Sequence, residues 1–145
     1  YKQIEEGKAY KEQLDITDAM NDIDAAISIC DGPVAIVGYC FGGMLAHIAA
    51  SELKMNCAVS YYGGLIAENH LDKSPDCPVM YHFGEEDFAI PMEKVDLIKE
   101  NYPEAIIHTY PNAGHGFNCE MRNDYHELSA ETALDRTLTF IANHC

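Results

Sequence analysis

Basic residues are scarce in this chain. Nine Lys and Arg stand against 24 Asp and Glu in 145 residues, a formal net charge of −15. Nucleic acid and anionic membrane surfaces need clustered Lys and Arg, so neither is an expected partner. The acids are scattered and form no acidic tail, which reads as a soluble surface. No apolar run approaches the ~20 residues of a membrane span. The N-terminal YKQIEEGKAYKEQLD is polar and has no signal-peptide core. It also has no initiator Met, and the expectation is a fragment or a processed product. There is no internal repeat, low-complexity tract or linker.

Paired cysteine motifs are missing too. The six cysteines are Cys30, Cys40, Cys57, Cys77, Cys119 and Cys145. None makes a C-x-x-C pair, and no His/Cys cluster has zinc-finger spacing. His115 and Cys119 form a doublet without a second pair. No metal and no cofactor are expected. The spacing G-x-G-x-x-G is absent from GYCFGG, which argues against a dinucleotide site. Unpaired thiols without an export signal point to a reducing compartment, the cytoplasm.

What the chain has is a core. Hydrophobic residues make up 48% of it, and its length suits one domain spanning 1–145. Ile16, Met20, Ile23, Ile27 and Cys30 recur at steps of 4, 3, 4 and 3, one apolar helix face. Asp15 or Thr17 caps that helix, and Asp31-Gly32-Pro33 stops it. VAIVGY (34–39), CAVSYY (57–62), PVMYHFG (78–84) and IIHTYP (106–111) read as four strands. Helices are expected over 44–53, 91–101 and 129–143. The last has Ser129 as its cap and Leu134, Leu138 and Ile141 on one side. Residues 1–14 read as a helix or a frayed start. Strands alternating with helices imply an α/β fold with a parallel sheet, whose sites gather at the C-terminal strand ends.

Three strand ends carry chemistry. After the first comes Gly38-Tyr39-Cys40-Phe41-Gly42-Gly43. G-x-C-x-G between strand and helix is a nucleophile elbow with Cys in place of Ser. Glycines at both flanks remove Cβ atoms that would collide at the strained turn. The sulfur then stands at a helix N-terminus, which favours thiolate. The Phe41 N–H faces a developing oxyanion. After the third strand comes Gly84-Glu85-Glu86-Asp87, three competing acids of which Asp87 lies farthest along. After the fourth, His115 sits between two glycines, poorly suited to core packing. His47, His82, His108, His70, His126 and His144 occupy helix, strand or polar contexts. The order Cys40, Asp87, His115 is nucleophile, acid, base, each after a different strand, as in α/β-hydrolase triads.

The sequence resembles the dienelactone hydrolase family, a branch of the α/β-hydrolases. The resemblance rests on VAIVGYCFGG, AVSYYGG, FGEEDFAIP, YPNAGHGF and ETALDRTLTFI, and runs from about Asp15 to the C-terminus. It implies an α/β-hydrolase-like parallel sheet with helices on both faces. It implies a carboxylic-ester hydrolase of the carboxymethylenebutenolidase type, acting on small esters or enol-lactones through a thioester. Cys40, His115 and Asp87 would be its triad, the Phe41 N–H one oxyanion donor. Tyr62, with Tyr61 as second choice, would line the pocket. Family members are longer at the N-terminus. Their extra strands supply the second oxyanion donor, a thiol-activating glutamate and an arginine that binds the substrate carboxylate. An arginine often stands four positions after the His; here that position is Cys119, and Arg122 lies three further on.

The expectation is therefore an N-terminally truncated domain whose open sheet edge supports self-association or strand exchange. A rival reading is a catalytically impaired or non-catalytic hydrolase-fold domain used for binding or assembly. A cysteine redox protein is a third, but it leaves Asp87 and His115 unexplained.

Overall fold

The computed structural model describes residues 4–145, so part of the expected N-terminal segment lies outside the described residues. The chain runs α1 (Ile4–Glu12), α2 (Ile16–Ser28), β1 (Ala35–Tyr39), α3 (Phe41–Glu52), β2 (Cys57–Tyr61), α4 (Ile66–Asn69), β3 (Val79–Gly84), α5 (Met92–Asn101), β4 (Ile106–Tyr110) and α6 (Glu127–His144). The four strands lie in the order β1-β2-β3-β4 and every pair is parallel. All four expected strands form, within a residue of their expected ends. The α/β reading holds. Asp15 is the cap of α2, its carboxylate accepting from the Thr17 N–H at 2.7 Å. No helix among the described residues is long and apolar enough to cross a membrane.

Register shows what covers each face. Gly38 lies beside Ser60 and Ser60 beside Tyr81, while Tyr39 lies beside Tyr61 and Tyr61 beside His82. Ser60 and Tyr81 face α3: the Ser60 hydroxyl lies against Gly43, and Tyr81 O–H meets His47 Nδ1 at 2.8 Å. Tyr61 and His82 face α6, where both reach Thr137 Oγ1, at 2.7 and 3.0 Å. Helices thus cover both faces. β2 and β3 are buried at every residue, as apolar runs between two helical layers must be.

β1 is covered less well. It pairs with β2 alone among the described residues. Val37 is 36% and Tyr39 44% exposed.

The last helix differs from expectation. It begins at Glu127, with His126 rather than Ser129 as cap. Its buried residues are Ser129, Ala130, Ala133, Thr137 and Phe140, whereas Leu134 and Leu138 are 49% and 56% exposed. Small side chains let the helix axis approach the sheet closely. The Thr137 hydroxyl then satisfies two buried polar groups that a leucine would leave unpaired. On α2 the expected apolar face is only partly covered: Met20 is buried, Ile23 and Ile27 half-buried, and Cys30 exposed.

Candidate active site

The turn from β1 into α3 forces Cys40 to φ 55°, ψ −116°, a left-handed conformation rare for a residue with a side chain. Its neighbours hold it there. The Cys40 N–H donates to the Tyr61 carbonyl at 2.9 Å, tying the turn to β2. Its own carbonyl accepts from the N–H groups of Gly43 (2.9 Å) and Met44 (3.2 Å), opening α3. The thiol makes no helix-capping bond, so the sulfur stays exposed above the sheet.

The glycine requirement is narrower than the sequence suggested. A Cβ on Gly38 would lie 1.9 Å from the Gly42 carbonyl oxygen, an impossible contact. A Cβ on Gly42 would meet nothing within 4 Å. The second crowded position is Gly43, where a Cβ would stand 2.7 Å from the Tyr61 carbonyl oxygen. The turn is tight between strand end and helix backbone, and Gly42 contributes its carbonyl rather than its missing side chain.

Asp87 is fixed before it meets any partner. Its Oδ1 accepts from the N–H groups of Ala89 (2.8 Å) and Ile90 (3.1 Å) in the loop before α5. Its side chain is fully buried. The other oxygen, Oδ2, accepts from His115 Nδ1 at 2.8 Å. The competing acids are directed elsewhere: Glu85 accepts from the Thr109 hydroxyl at 2.8 Å, and Glu86 is exposed. Gly84 allows the loop carrying His115 to cross the end of β3, since a Cβ there would lie 2.2 Å from the Ala113 carbonyl oxygen. The Glu86 N–H donates to that same carbonyl at 2.9 Å.

The second ring nitrogen, His115 Nε2, lies 3.1 Å from Cys40 Sγ. Sulfur, imidazole and carboxylate thus form one hydrogen-bonded line from three loops. Electrostatics follow the geometry. The Asp87 carboxylate, then the sulfur, raises the His115 pKa to about 9 against the opposing cost of burial. The hydrogen bond to His115 lowers the Cys40 pKa against burial, helped by the Phe41 N–H. Both shifts favour a proton on the ring rather than on the sulfur.

Tyr62 is buried at φ 38°, with its ring edge-on to His115 (centroids 5.2 Å apart) and to Phe117 (5.5 Å). Tyr61, the second choice, faces α6, where it bonds Thr137, and its ring lies edge-on to Tyr62. Beside His115 opens a cleft of about 540 Å³, lined by Glu86, Phe88, Arg122 and Tyr125 among others. Cys40 does not line it.

Residues 2–145 match the family model of the dienelactone hydrolase family. The chain belongs to that family. A carboxymethylenebutenolidase of Pseudomonas putida is 35% identical, over 93% of this chain and 62% of the relative. Carboxymethylenebutenolidase 1 of Cupriavidus pinatubonensis is 30% identical, over 95% and 63%. A crystal structure from Klebsiella pneumoniae, provisionally assigned as a dienelactone hydrolase, superposes with a TM-score of 0.80 at 28% identity, over 90% of this chain and 63% of that one. The fold is therefore that of the α/β-hydrolases. The chain spans somewhat less than two thirds of the length of these relatives. Arg122 lies against Gly116, with its Nε 3.7 Å from an Asp124 oxygen.

Proposed function

We propose that this chain is one partial hydrolase domain, 1–145, and that it cleaves small carboxylic esters or lactones through Cys40, His115 and Asp87. The observation that carries this reading is the unbroken line of contacts, 3.1 Å from sulfur to ring and 2.8 Å from ring to carboxylate. The family's dienelactone hydrolase description and its carboxymethylenebutenolidase relatives support the substrate class.

In the resting site the thiol proton resides on His115 Nε2, giving a thiolate–imidazolium pair. The thiolate attacks the substrate carbonyl and forms a carbon–sulfur bond. The carbonyl electrons move to oxygen, which the Phe41 N–H receives. As the intermediate collapses, the carbon–oxygen bond to the leaving group breaks, and His115 donates its proton to that oxygen. A thioester remains on Cys40. The now neutral His115 takes a proton from water, and the hydroxide attacks the thioester. The acid leaves and the pair is restored. Asp87 keeps Nδ1 protonated throughout, so that Nε2 is always the nitrogen facing sulfur and substrate. Tyr62 forms the wall against which His115 turns.

The working partner is a small ester or lactone. The location proposed from the free thiols is the cytoplasm. Self-association is proposed at β1, which pairs with β2 alone among the described residues and carries the half-exposed Val37 and Tyr39. Turnover of p-nitrophenyl acetate tests the chemistry. It is lost in Cys40→Ala; full turnover in that variant removes Cys40 from the reaction.

A further inference from the structure

Three groups act on the Cys40 sulfur. The His115 ring meets it from the β4–α6 loop, itself held by Asp87 from the β3–α5 loop. The Phe41 N–H reaches it from the start of α3. The third comes from α1, an element that the reaction scheme leaves unused. Lys11, in the last turn of that helix, holds its ammonium over the Phe41 ring, 5.6 Å from the ring centroid. A cation over an aromatic face is a favourable and directional contact. The ring it covers belongs to the residue that follows the sulfur and supplies the oxyanion N–H.

The Lys11 charge favours the ionised sulfur. The setting makes the cation conspicuous. The chain carries a net charge of −15, a background that disfavours any further anion. Glu6, Lys8 and Glu12 share the helix with Lys11. The Lys11 ammonium opposes that background where the thiolate must form.

We propose that Lys11 is a positioning residue for the thiol chemistry: an ammonium borne by α1 and seated on the Phe41 ring, which keeps the Cys40 sulfur ionised and steadies the residue whose N–H faces the substrate oxygen. This rests on the nucleophilic role proposed for Cys40. Lys11 does not touch the reacting atoms and moves no proton. It acts through the sulfur's charge and through Phe41.

The test follows the rate of Cys40 alkylation by iodoacetamide against pH, read by peptide mass spectrometry, in the wild type, Lys11→Met, Lys11→Arg and Lys11→Glu. Lys11 is exposed, so none of these changes disturbs a core. In Lys11→Met the midpoint of the lower step of the alkylation curve, where the thiolate forms, rises by about 0.3 to 0.5, a roughly two- to three-fold slower reaction below that midpoint. Lys11→Glu moves it further in the same direction, and Lys11→Arg restores the wild-type curve. In ~0.5 M salt the differences among the variants contract, because the charge is solvent-screened. A Lys11→Met curve that superimposes on the wild type overturns the proposal, as does a shift that high salt leaves unchanged. A wild-type midpoint at the ordinary value of a free thiol is a different failure, and it removes the ionised Cys40 itself.

Discussion

His115 and Asp87 are joined by a bond whose acceptor has no freedom to turn: Asp87 Oδ2 takes the Nδ1–H at 2.8 Å while Oδ1 is held by the N–H groups of Ala89 and Ile90. The carboxylate is locked by its own loop, so it selects the ring tautomer instead of adapting to it.

Asp87→Asn separates that function from folding. The amide oxygen still accepts from Ala89 and Ile90, so the loop survives, but the amide N–H₂ now faces Nδ1. The ring turns to the wrong tautomer, and Nε2 carries the proton when it must accept one. Ester turnover falls by about 10³- to 10⁴-fold with little change in thermal stability. A loss below tenfold, measured by steady-state kinetics, argues against the tautomer role.

The pair of pKa shifts predicts an alkylation profile. The Cys40 pKa is lowered by its bond to His115, and the His115 pKa is raised to about 9 by Asp87 and then Cys40. As pH rises, thiolate appears below the ordinary thiol range, paired with imidazolium. Near pH 9 the ring loses its proton, and the sulfur becomes a free thiolate of changed reactivity. Iodoacetamide labelling of Cys40 therefore shows two steps and outpaces labelling of the other five thiols at neutral pH. A single step in the ordinary thiol range contradicts the paired state.

Two glycines in the elbow predict opposite outcomes. Gly38→Ala drives a Cβ to 1.9 Å from the Gly42 carbonyl oxygen, so the turn must open. The cost is about 1–3 kcal/mol or more, with a fall in Tm of several degrees and loss of turnover. Gly42→Ala finds open space in the first turn of α3 and gains up to ~1 kcal/mol of helix propensity. Thermal unfolding followed by circular dichroism distinguishes them. Equal destabilisation of both contradicts the packing described.

The pairing of β1 with β2 alone, among the described residues, predicts association. Light scattering after size exclusion shows an assembly larger than one chain, and a Val37→Lys, Tyr39→Lys double variant shifts it toward the monomer. A clean monomer in the unsubstituted chain counts against self-association at this edge.

Much of this arrangement was legible in the sequence, and the exceptions have physical causes. The four strands stood out because runs such as VAIVGY and PVMYHFG are largely apolar on both faces, the first following Pro33 and the second running from Pro78 to Gly84. Cys40, Asp87 and His115 were readable because each follows a strand in a fixed order. The four-residue α4 was missed because so short a segment has no periodicity. α3 starts three residues earlier than expected, at Phe41, because the glycines of FGG read as turn while they already occupy its first turn. On α6 the large aliphatic residues drew the prediction, but close approach to the sheet favours Ala133 and Thr137. Gly42 looked like a steric requirement, yet only backbone coordinates show which Cβ would collide. Lys11 lies in a polar segment far back in the chain, and nothing in its spacing connects it to the elbow.

The most direct measurement is to trap the covalent intermediate. The protein is mixed with p-nitrophenyl acetate, quenched in acid within the first turnovers, digested and mapped by mass spectrometry. The account predicts an acetyl group on Cys40, removed by hydroxylamine and accumulating in His115→Ala if acylation persists there. Ester turnover with no acyl group on Cys40, or with the acyl group on another residue, would contradict it.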